Sequence, residues 1–453
     1  MTRLFGTDGV RGVANTELTA QLAFNLGQAG ARVLAGKSHK KPKLLIGRDT
    51  RISCDMLEAA IVAGICSTGA DAISLGTLPT PAVASLTSVM KADAGVMISA
   101  SHNSFEFNGI KFFNKDGYKL HDSIEDEIEA LLNGVPAYDG YEAPVGGGIG
   151  RHIVNTGAKS VYVRRLLSFG GCDLSGARVA VDCANGAASH IAPRLLERLG
   201  ADVYAVNCEP DGVNINDRCG STHLDAIRAY TVECGADIGL AFDGDADRML
   251  AVDERGGIID GDSIMALLAI DMHKRGVLSK ATVVATVMSN IGFEIAIKKH
   301  GIKLVRTSVG DRYVLDEMIK NGYVLGGENS GHIICLDKNT TGDGLSAALS
   351  LLRILFGGAT CVPVSEAAGV VKSVPQIILN ARVSNAKKNT YLEDPIIRDR
   401  CSAVETLFFG EGRVLIRPSG TEPLVRVMIE SVNREMMETE ARGLVKLIEA
   451  RLG

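Results

Sequence analysis

The stretch at residues 42–76 decides the class of fold, because it contains a strand, a helix and a second strand in immediate succession. It begins with "PKLLIGRDTR" (42–51), continues through the helical pattern "MLEAAIVAGICSTG" (56–69) and ends with "DAISLG" (71–76). Gly69 ends the helical pattern, where a helix C-terminus favours a left-handed residue. The pattern predicts two parallel strands joined by a helix.

The same plan recurs twice further along the chain, each time as strand, polar loop, helix, glycine and strand. The recurrences are "ARVAVDCANGAAS" (177–189), "HIAPRLLERLG" (190–200) and "DVYAVN" (202–207), then "ATVVATVMSN" (281–290), "GFEIAIKKHG" (292–301) and "IKLVRT" (302–307). Gly200 and Gly301 take the place of Gly69. The three repeats predict three mixed α/β domains, each a βαβ-based sheet with flanking helices.

The last part of the chain breaks this plan. From about position 370 it contains short apolar runs, the loop "RPSGTEP" (417–423) between two strands, and an amphipathic final helix at 434–452. This order is typical of a smaller α+β domain with one sheet. We therefore predict α/β domains at 1–155, 156–255 and 256–369 and an α+β domain at 370–453, around a central cleft.

Composition and charge exclude several classes of protein. The formal net charge is −5, which argues against a nucleic-acid-binding surface. No apolar run reaches the ~18 residues of a membrane helix, and "MTRLFGTDGV" at the start has no apolar signal segment. None of the ten cysteines is spaced C-x-x-C, so we expect buried thiols rather than zinc ligands or disulfides. These features predict a soluble cytoplasmic protein.

A polar loop follows an apolar strand in each of the three repeats. The loops are "SASHN" (99–103), "DGDADR" (243–248) and "GGENSGH" (326–332), and a further strand follows each of them. Ligands of open α/β sheets bind beyond the carboxyl ends of the strands. We therefore expect the three loops to converge on one cleft.

The second loop is a candidate metal site. Asp243, Asp245 and Asp247 alternate, so an extended loop could point three carboxylates to one side, and ligands that are all oxygen favour Mg²⁺. A calcium loop with Glu254 as its last ligand is an alternative, but Arg248 stands where that pattern requires glycine. A solvated acidic turn is the other alternative.

The first loop offers a serine beyond the end of a strand. Ser101 could be a nucleophile, a phosphate carrier or a turn cap, and its neighbour His102 does not by itself establish a nucleophile–base pair. A metal beside a serine oxygen favours phosphoryl chemistry, since the metal offsets the charge of the group in transfer.

The remaining loops offer groups for a sugar and an anion. Glu328, with Ser330 two residues later, could accept hydrogen bonds from two neighbouring hydroxyls, and we expect His332 to have a structural or indirect role. The loop at 417–423 combines arginine, hydroxyls and backbone amides in a pattern typical of an anion nest, with a structural turn as the alternative. Its candidate residues are Arg417, Ser419, Gly420, Thr421 and Arg426.

The four loops, in this order and over essentially the whole chain, resemble the α-D-phosphohexomutase superfamily. Within it, "FGTDGVRG" (5–12), the Ser101 loop and "RTSVGDRYV" (306–314) are similar to the branch that acts on glucosamine phosphate. The phosphoglucomutase/phosphomannomutase branch usually carries a histidine in a loop resembling "TKTGH", where this chain has residues 308–312.

The resemblance implies the following roles. Ser101 would carry a phosphoryl group and, with Asp243, Asp245 and Asp247, hold Mg²⁺; Glu328 and Ser330 would hold sugar hydroxyls; Arg417, Ser419, Gly420, Thr421 and Arg426 would hold the non-reacting phosphate; Arg11, His102, Lys111 and Arg248 would line the reacting centre. Lys111 would be a general acid/base, and without the resemblance we would interpret it as an edge-strand lysine.

The implied reaction interconverts glucosamine 6-phosphate and glucosamine 1-phosphate through a bisphosphate, on the bacterial route to UDP-N-acetylglucosamine, with a hexose 1,6-bisphosphate as activator and a homodimer as the assembly. A phosphoglucomutase or phosphomannomutase, and a non-catalytic sugar-phosphate or metal-binding protein, are the alternatives. Two positions depart from the family pattern: Ser104 stands where proline is usual, and Asn329 where glutamine is usual. We expect modest consequences, since no reacting group changes.

Overall fold

The computed structural model describes residues 3–6, 8–35, 41–134, 141–358, 362–409, 412–419 and 422–453. The chain forms two compact units. The larger runs to Thr286 and resumes over Val305–Val370, and the smaller combines Val287–Leu304 with Val371–Gly453. Within the ranges given above, no helix is both long and apolar enough to span a membrane.

The larger unit begins with a six-stranded sheet. Its elements are β1 (Val10–Val13), α1 (Ala20–Leu34), β2 (Lys43–Arg48), α2 (Ser53–Ser67), β3 (Asp71–Thr77), α3 (Thr80–Val89), β4 (Ala94–Ile98), β5 (Phe107–Asn114), α4 (Asp122–Leu132) and β6 (His152–Val154). The strand order is β1-β5-β4-β2-β3-β6, in which β2 pairs in parallel with both β3 and β4. The βαβ unit predicted at 42–76 is therefore confirmed.

A second sheet follows in the same unit. Its elements are α5 (Ala158–Gly170), β7 (Arg178–Asp182), α6 (Ala192–Arg198), β8 (Asp202–Val206), α7 (Asp225–Glu233), β9 (Ile238–Phe242), β10 (Met249–Asp253) and β11 (Ile258–Ile259). The strand order is β11-β10-β9-β7-β8, with β7 parallel to both β8 and β9.

The third sheet has four strands in the order β13-β12-β14-β15. The elements of this part of the chain are α8 (Gly261–Lys274), β12 (Thr282–Thr286), α9 (Ile291–Lys298), β13 (Lys303–Thr307), α10 (Asp311–Asn321), β14 (Leu325–Gly327), β15 (Ile333–Cys335), α11 (Gly344–Phe356) and α12 (Val364–Ala368). Helix α9 belongs to the smaller unit.

The rest of the smaller unit is an antiparallel sheet with helices. Its elements are β16 (Gln376–Arg382), α13 (Pro395–Leu407), β17 (Gly412–Pro418), β18 (Leu424–Ser431) and α14 (Arg434–Leu452). The strand order is β16-β18-β17, and the buried face of α14 joins that of β18 in one apolar core. The predicted fold class, three mixed α/β domains and a smaller α+β domain, is confirmed.

The predicted helix stops have a simple backbone cause. Gly69, Gly200 and Gly301 have φ angles of 92°, 95° and 75°, in the left-handed region that a residue with a Cβ adopts at a cost. Each ends one helix and lets the chain reverse into the next strand.

The three polar loops occupy equivalent places in their sheets. Each connects a strand to an antiparallel neighbour: β4 to β5, β9 to β10, and β14 to β15. Strands β4 and β9 are buried along their whole length, as expected for strands of a sheet whose two faces are both covered. Their polar residues therefore come only after the strand ends, where the chain leaves the core.

Candidate active site

Ser101 is held in a strained backbone conformation three residues after the end of β4. Its φ is 54°, and such left-handed residues cost ~1–3 kcal/mol that the surroundings must offset. The Ser101 amide donates to Ser99 Oγ at 2.9 Å. Its hydroxyl donates to Asp243 Oδ2 at 2.7 Å and lies 3.4 Å from His102 Nδ1. The hydroxyl is thus aimed at the aspartate loop.

The three aspartates converge, but not by the geometry that the sequence predicts. Ligand oxygens of Asp243, Asp245 and Asp247 all lie within 4.8 Å of one another, and all three residues are buried. The loop is a tight turn rather than an extended strand: the Ala246 amide donates to the Asp243 carbonyl at 3.0 Å, and Ala246 has a φ of 53°. The extended-loop prediction was wrong because this turn, and not alternation along a strand, gathers the carboxylates.

The carboxylate cluster fits a divalent cation. Burial, followed by the charges of Asp247 and Asp245, raises the pKa of Asp243 well above its ordinary value. Among the described residues, Asp245 Oδ1 and Asp247 Oδ1 are buried without a hydrogen-bond partner. A cation bound by these oxygens would remove both costs, and carboxylate oxygens suit Mg²⁺. Glu254, the last ligand of the alternative calcium loop, instead accepts hydrogen bonds from Ser365.

Helix α3 fixes one of these carboxylates. Thr80, the first residue of the helix, donates from Oγ1 to Asp245 Oδ2 at 2.5 Å, and its amide donates to the Asp245 carbonyl at 3.0 Å. Lys111 donates to the same Oδ2 at 2.9 Å. Because Oδ2 has two donors, Oδ1 is the oxygen left for a metal. Nothing in the sequence pointed to this role of Thr80, since a threonine at a helix start is usually only a cap.

Lys111 lies at the centre of a buried charge cluster. Its Nζ is 2.9 Å from both Asp8 Oδ2 and Asp245 Oδ2. Burial alone would lower the pKa of Lys111, but Asp245 and Asp8 outweigh it and raise the pKa, so the side chain is an ammonium that can donate. The edge-strand interpretation is excluded, because Lys111 is on β5, between β1 and β4.

The charge cluster extends to residues that sequence reasoning missed. Lys119 Nζ donates to Asp8 Oδ1 and to Asp311 Oδ2, both at 2.5 Å. Burial would raise the pKa of Asp8, but Lys111 and Lys119 lower it well below its ordinary value. Asp8 and Asp311 lie in "FGTDGVRG" and "RTSVGDRYV", so the motifs were visible in the sequence while their pairing through Lys119 was not.

A cavity of about 470 Å³ opens beside this cluster. Its volume lies within the ~300–1,000 Å³ typical of small-molecule sites. Its lining includes the predicted residues Arg11, His102, Arg248 and Glu328, together with Asp247 and His332. Burial, then the nearby charges of Arg248 and Arg11, lowers the pKa of His102. Arg11 and Arg248 bring positive charge to the wall of this cavity, and guanidinium groups suit a phosphate.

Glu328 of the third loop lines the cavity, and Asn329 of the same loop holds the loop in place. Asn329 Nδ2 donates to Asp260 Oδ2 at 2.9 Å and to Asp262 Oδ2 at 3.1 Å, so the residue that departs from the family pattern holds the loop to the start of α8. Within the part of the chain that the structure describes, Ser330 Oγ is buried without a partner. A ligand hydroxyl would satisfy it.

His332 lies between two carboxylates of the same site. Its Nδ1 is 3.5 Å from Asp247 Oδ2, and its Nε2 is 3.5 Å from Asp311 Oδ2. Burial alone would lower the pKa of His332, but Asp247 and Asp311 outweigh it and raise the pKa. Its contact with a candidate metal ligand is compatible with the indirect role that we expected.

In the smaller unit, two predicted anion-binding residues face each other. Arg417 on β17 is directly opposite Arg426 on β18. Burial, then the charge of Arg426, lowers the pKa of Arg417. Like charges directly opposite on neighbouring strands are destabilising, so this pair favours an anion. Ser419 is buried and follows β17, whereas Gly420 and Thr421 lie outside the described residues.

Known proteins of one family match this chain along most of its length. The sequence matches the phosphoglucomutase/phosphomannomutase family in four parts: α/β/α domain I over residues 2–139, domain II over 160–257, domain III over 260–373 and the C-terminal domain over 378–447. The chain belongs to the α-D-phosphohexomutase superfamily. The resemblance of its four loops to this superfamily is thereby confirmed.

Relatives within the α-D-phosphohexomutase superfamily are similar over their whole length. The chain is 55% identical to a phosphoglucosamine mutase of Acetivibrio thermocellus and 56% identical to one of Ruminiclostridium cellulolyticum, covering all of both chains in each case. A crystal structure of a phosphoglucomutase/phosphomannomutase family protein from Burkholderia thailandensis superposes with a TM-score of 0.83 at 24% identity, covering 100% of this chain and 99% of the other. That structural likeness shows the phosphohexomutase fold.

Proposed function

We propose that this phosphohexomutase interconverts glucosamine 6-phosphate and glucosamine 1-phosphate. The observation that carries the reaction type is the Ser101 hydroxyl, buried 2.7 Å from Asp243 Oδ2 within a cluster of three carboxylates. The substrate is supported by 55–56% identity to two phosphoglucosamine mutases over the full chain. Both lines support the same enzyme, an isomerase that moves a phosphoryl group.

The reaction needs two transfers through Ser101. A sugar hydroxyl loses its proton as it attacks the phosphorus of phosphoserine 101, the bond from phosphorus to Ser101 Oγ breaks, Oγ takes up a proton, and glucosamine 1,6-bisphosphate forms. The intermediate turns over, the phosphate at its other end passes back to Ser101, and the isomeric monophosphate leaves. No nucleotide is consumed, and a hexose 1,6-bisphosphate would act as activator by phosphorylating an empty Ser101.

The chain's own residues have distinct tasks in this scheme. Asp243, Asp245 and Asp247, with an oxygen on Ser101, would hold Mg²⁺, which when bound supplies charge neutralisation for the group in transfer. Lys111 would donate a proton to an oxygen that leaves phosphorus, acting as a general acid. Arg11, His102 and Arg248 would hold phosphate oxygens, as their places on the cavity wall support.

Substrate binding would use the other two loops. Glu328 would accept hydrogen bonds from two sugar hydroxyls, and Ser330 would bind through its buried Oγ. Arg417 and Arg426, with Ser419, Gly420 and Thr421, would anchor the phosphate that does not react.

The broader sequence predictions complete the proposal. We keep the four domains at 1–155, 156–255, 256–369 and 370–453, a cytoplasmic location and a homodimer as predictions. The product glucosamine 1-phosphate would supply the bacterial route to UDP-N-acetylglucosamine and peptidoglycan precursors.

Substrate preference tests the proposal. The measurement is kcat/KM for glucosamine 1-phosphate, glucose 1-phosphate and mannose 1-phosphate, with Mg²⁺ and a hexose 1,6-bisphosphate present. We expect a preference for the amino sugar of about a hundredfold, equivalent to ~2.7 kcal/mol of transition-state binding. Equal or better use of glucose or mannose phosphate would instead establish a phosphoglucomutase or phosphomannomutase, and turnover of none of them would favour a binding protein.

A further inference from the structure

Two buried side chains bind the same two carbonyl oxygens of the loop that carries Ser101. Arg51 Nη2 donates to the Ser101 carbonyl at 3.0 Å and to the Asn103 carbonyl at 2.7 Å. Asn216 Nδ2 donates to each of these oxygens at 2.9 Å. Four hydrogen bonds thus converge on the backbone on either side of His102, and none of them involves a reacting group.

We propose that Arg51 and Asn216 are positioning residues that hold Ser101 in its reactive conformation. The inference rests on the proposed function, in which Ser101 carries the phosphoryl group. Ser101 has a φ of 54°, so its backbone conformation persists only where surrounding contacts fix it. Released from the two donors, the loop would relax and carry the Ser101 hydroxyl away from Asp243.

Arg51 is built into its place. Its side chain is fully buried, its amide donates to Asp49 Oδ1 at 3.0 Å, and its Nε lies 3.4 Å from Asp49 Oδ2. The carboxylate therefore offsets the buried charge and orients the guanidinium toward the Ser101 loop. Burial of an arginine has a desolvation cost. An arginine that only stabilised the protein from its surface would not have this cost.

Asn216 approaches the same oxygens from the part of the chain that contains the second sheet. Its φ is 58°, a conformation that asparagine tolerates better than most residues, and its amide donates to the Ala184 carbonyl at 2.9 Å. Its side-chain amide is therefore presented by a backbone that is itself fixed. The two donors come from segments that are remote in sequence, so two separate parts of the chain hold the same two carbonyl oxygens.

Gly244 in the aspartate loop leaves room for this arrangement. A Cβ at Gly244 would lie 2.7 Å from the Ser101 carbonyl oxygen and 2.8 Å from Asn216 Nδ2. Any side chain there would push the carbonyl and its donor apart. The glycine between Asp243 and Asp245 is thus required by the close passage of the Ser101 loop, in addition to any demand of the metal site.

The test is the rate at which Ser101 takes up phosphate. The enzyme, with Mg²⁺, is mixed with ³²P-labelled glucose 1,6-bisphosphate in a rapid-quench experiment, and Asn216→Gly is compared with wild type. Glycine accepts the positive φ, so the variant should fold. We expect labelling and kcat to fall on the order of a hundredfold, since a shift of about 1 Å at a reacting atom has that effect. The KM for the sugar phosphate and the thermal midpoint should stay close to wild type.

Asn15→Gly is the matched control, because Asn15 has a φ of 67° and is exposed outside the site. It should label at the wild-type rate. Arg51→Lys is the second variant; it keeps the charge but removes the guanidinium fork, and it should slow labelling in the same way.

The outcomes separate the two hypotheses. If wild type is labelled and both Asn216→Gly and Arg51→Lys are labelled equally fast, the positioning role is wrong. A lower thermal midpoint with unchanged labelling per folded enzyme would also overturn it, in favour of a purely structural role. A wild type that takes up no label overturns the proposed function, and this inference with it.

Discussion

Ser101 differs from the other serines of its loop in surroundings rather than in chemistry. Ser99 Oγ accepts a hydrogen bond from the Ser101 amide, and Ser104 is exposed. The Ser101 hydroxyl, in contrast, donates to Asp243. The proposed positioning by Arg51 and Asn216 also concerns position 104, where the family usually has proline. The Asn103 carbonyl, just before that position, accepts from both Arg51 and Asn216, so the loop has a restraint that does not depend on proline.

Removing the Ser101 hydroxyl should abolish the reaction. For Ser101→Ala we expect turnover of glucosamine 1-phosphate to fall by at least about a thousandfold even with a bisphosphate activator, because no group remains to carry phosphate. Ser104→Ala, in the same loop, should keep wild-type turnover. Coupled-assay kinetics and the intact mass of the enzyme check this. Wild-type turnover by Ser101→Ala would show that the phosphoserine mechanism is wrong.

The aspartate cluster should bind a metal but should lower the stability of the metal-free protein. An amide at position 243 removes one of three crowded charges, and the Ser101 hydroxyl can accept from its nitrogen. Without metal, the free energy of unfolding of Asp243→Asn should therefore be about 0.5–2 kcal/mol higher than that of wild type. Mg²⁺ should stabilise wild type but not the variant. Denaturant unfolding with and without Mg²⁺ measures both effects, and a variant that Mg²⁺ stabilises as much as wild type would contradict the assignment.

At the scale of elements, helix α3 links the first sheet to the candidate metal site. Thr80 and Thr87 are both fully buried on this helix, but Thr87 Oγ1 donates to the Val83 carbonyl one turn earlier in the same helix. The two threonines look alike in the sequence. They differ in function because the sheet order places the start of the helix, and not its end, beside Asp245.

We therefore expect Thr80→Val to weaken Mg²⁺ binding by about 10- to 100-fold, the effect typical of losing a hydrogen bond to a metal ligand. Thr80→Ser, which keeps the hydroxyl, should bind Mg²⁺ almost as tightly as wild type. Thr87→Val is the control for loss of a buried hydroxyl on the same helix. Isothermal titration with Mg²⁺ measures all four proteins, and equal affinities for Thr80→Val and Thr87→Val would refute the role.

On the scale of the whole molecule, helix α9 belongs to the C-terminal unit although the sequence places it in the third repeat. Glu430 on β18 is fully buried and accepts from Asn290 Nδ2 at 3.1 Å, the Ile291 amide at 3.2 Å and Arg413 Nε at 2.8 Å. This carboxylate lies at the start of α9, where a negative charge is favourable. Local sequence carries no trace of the partnership.

Glu430→Gln should loosen α9 selectively. Losing hydrogen bonds to a charged group costs about 1.5–3 kcal/mol, so amides of α9 should exchange faster. Amides of α8, in the larger unit, should not change. Hydrogen exchange followed by mass spectrometry measures both helices, with the exposed Glu438→Gln as control. Equal acceleration in α8 and α9 would contradict the assignment of α9 to the smaller unit.

The sequence by itself determined the three βαβ units, the polar loops that follow them and the final helix, in their order. Apolar runs and helical periodicity located the strands, Gly69, Gly200 and Gly301 located the helix stops, and the polar clusters located the loops at the ends of β4, β9 and β14. These are local properties, since each depends on residues within one or two turns of the chain. The family followed from the same loops read in order.

Only the tertiary structure decided which side chains meet. Lys119 joins Asp8 and Asp311, residues 111 and 192 positions away, and Arg51 and Asn216 meet on the Ser101 loop. Such pairs depend on strand order and on left-handed residues such as Ser101 and Ala246, which no hydrophobic period encodes. The turn that gathers the three aspartates is one of these features, because backbone torsions and packing between distant segments, rather than spacing along the chain, fix where its carboxylates point.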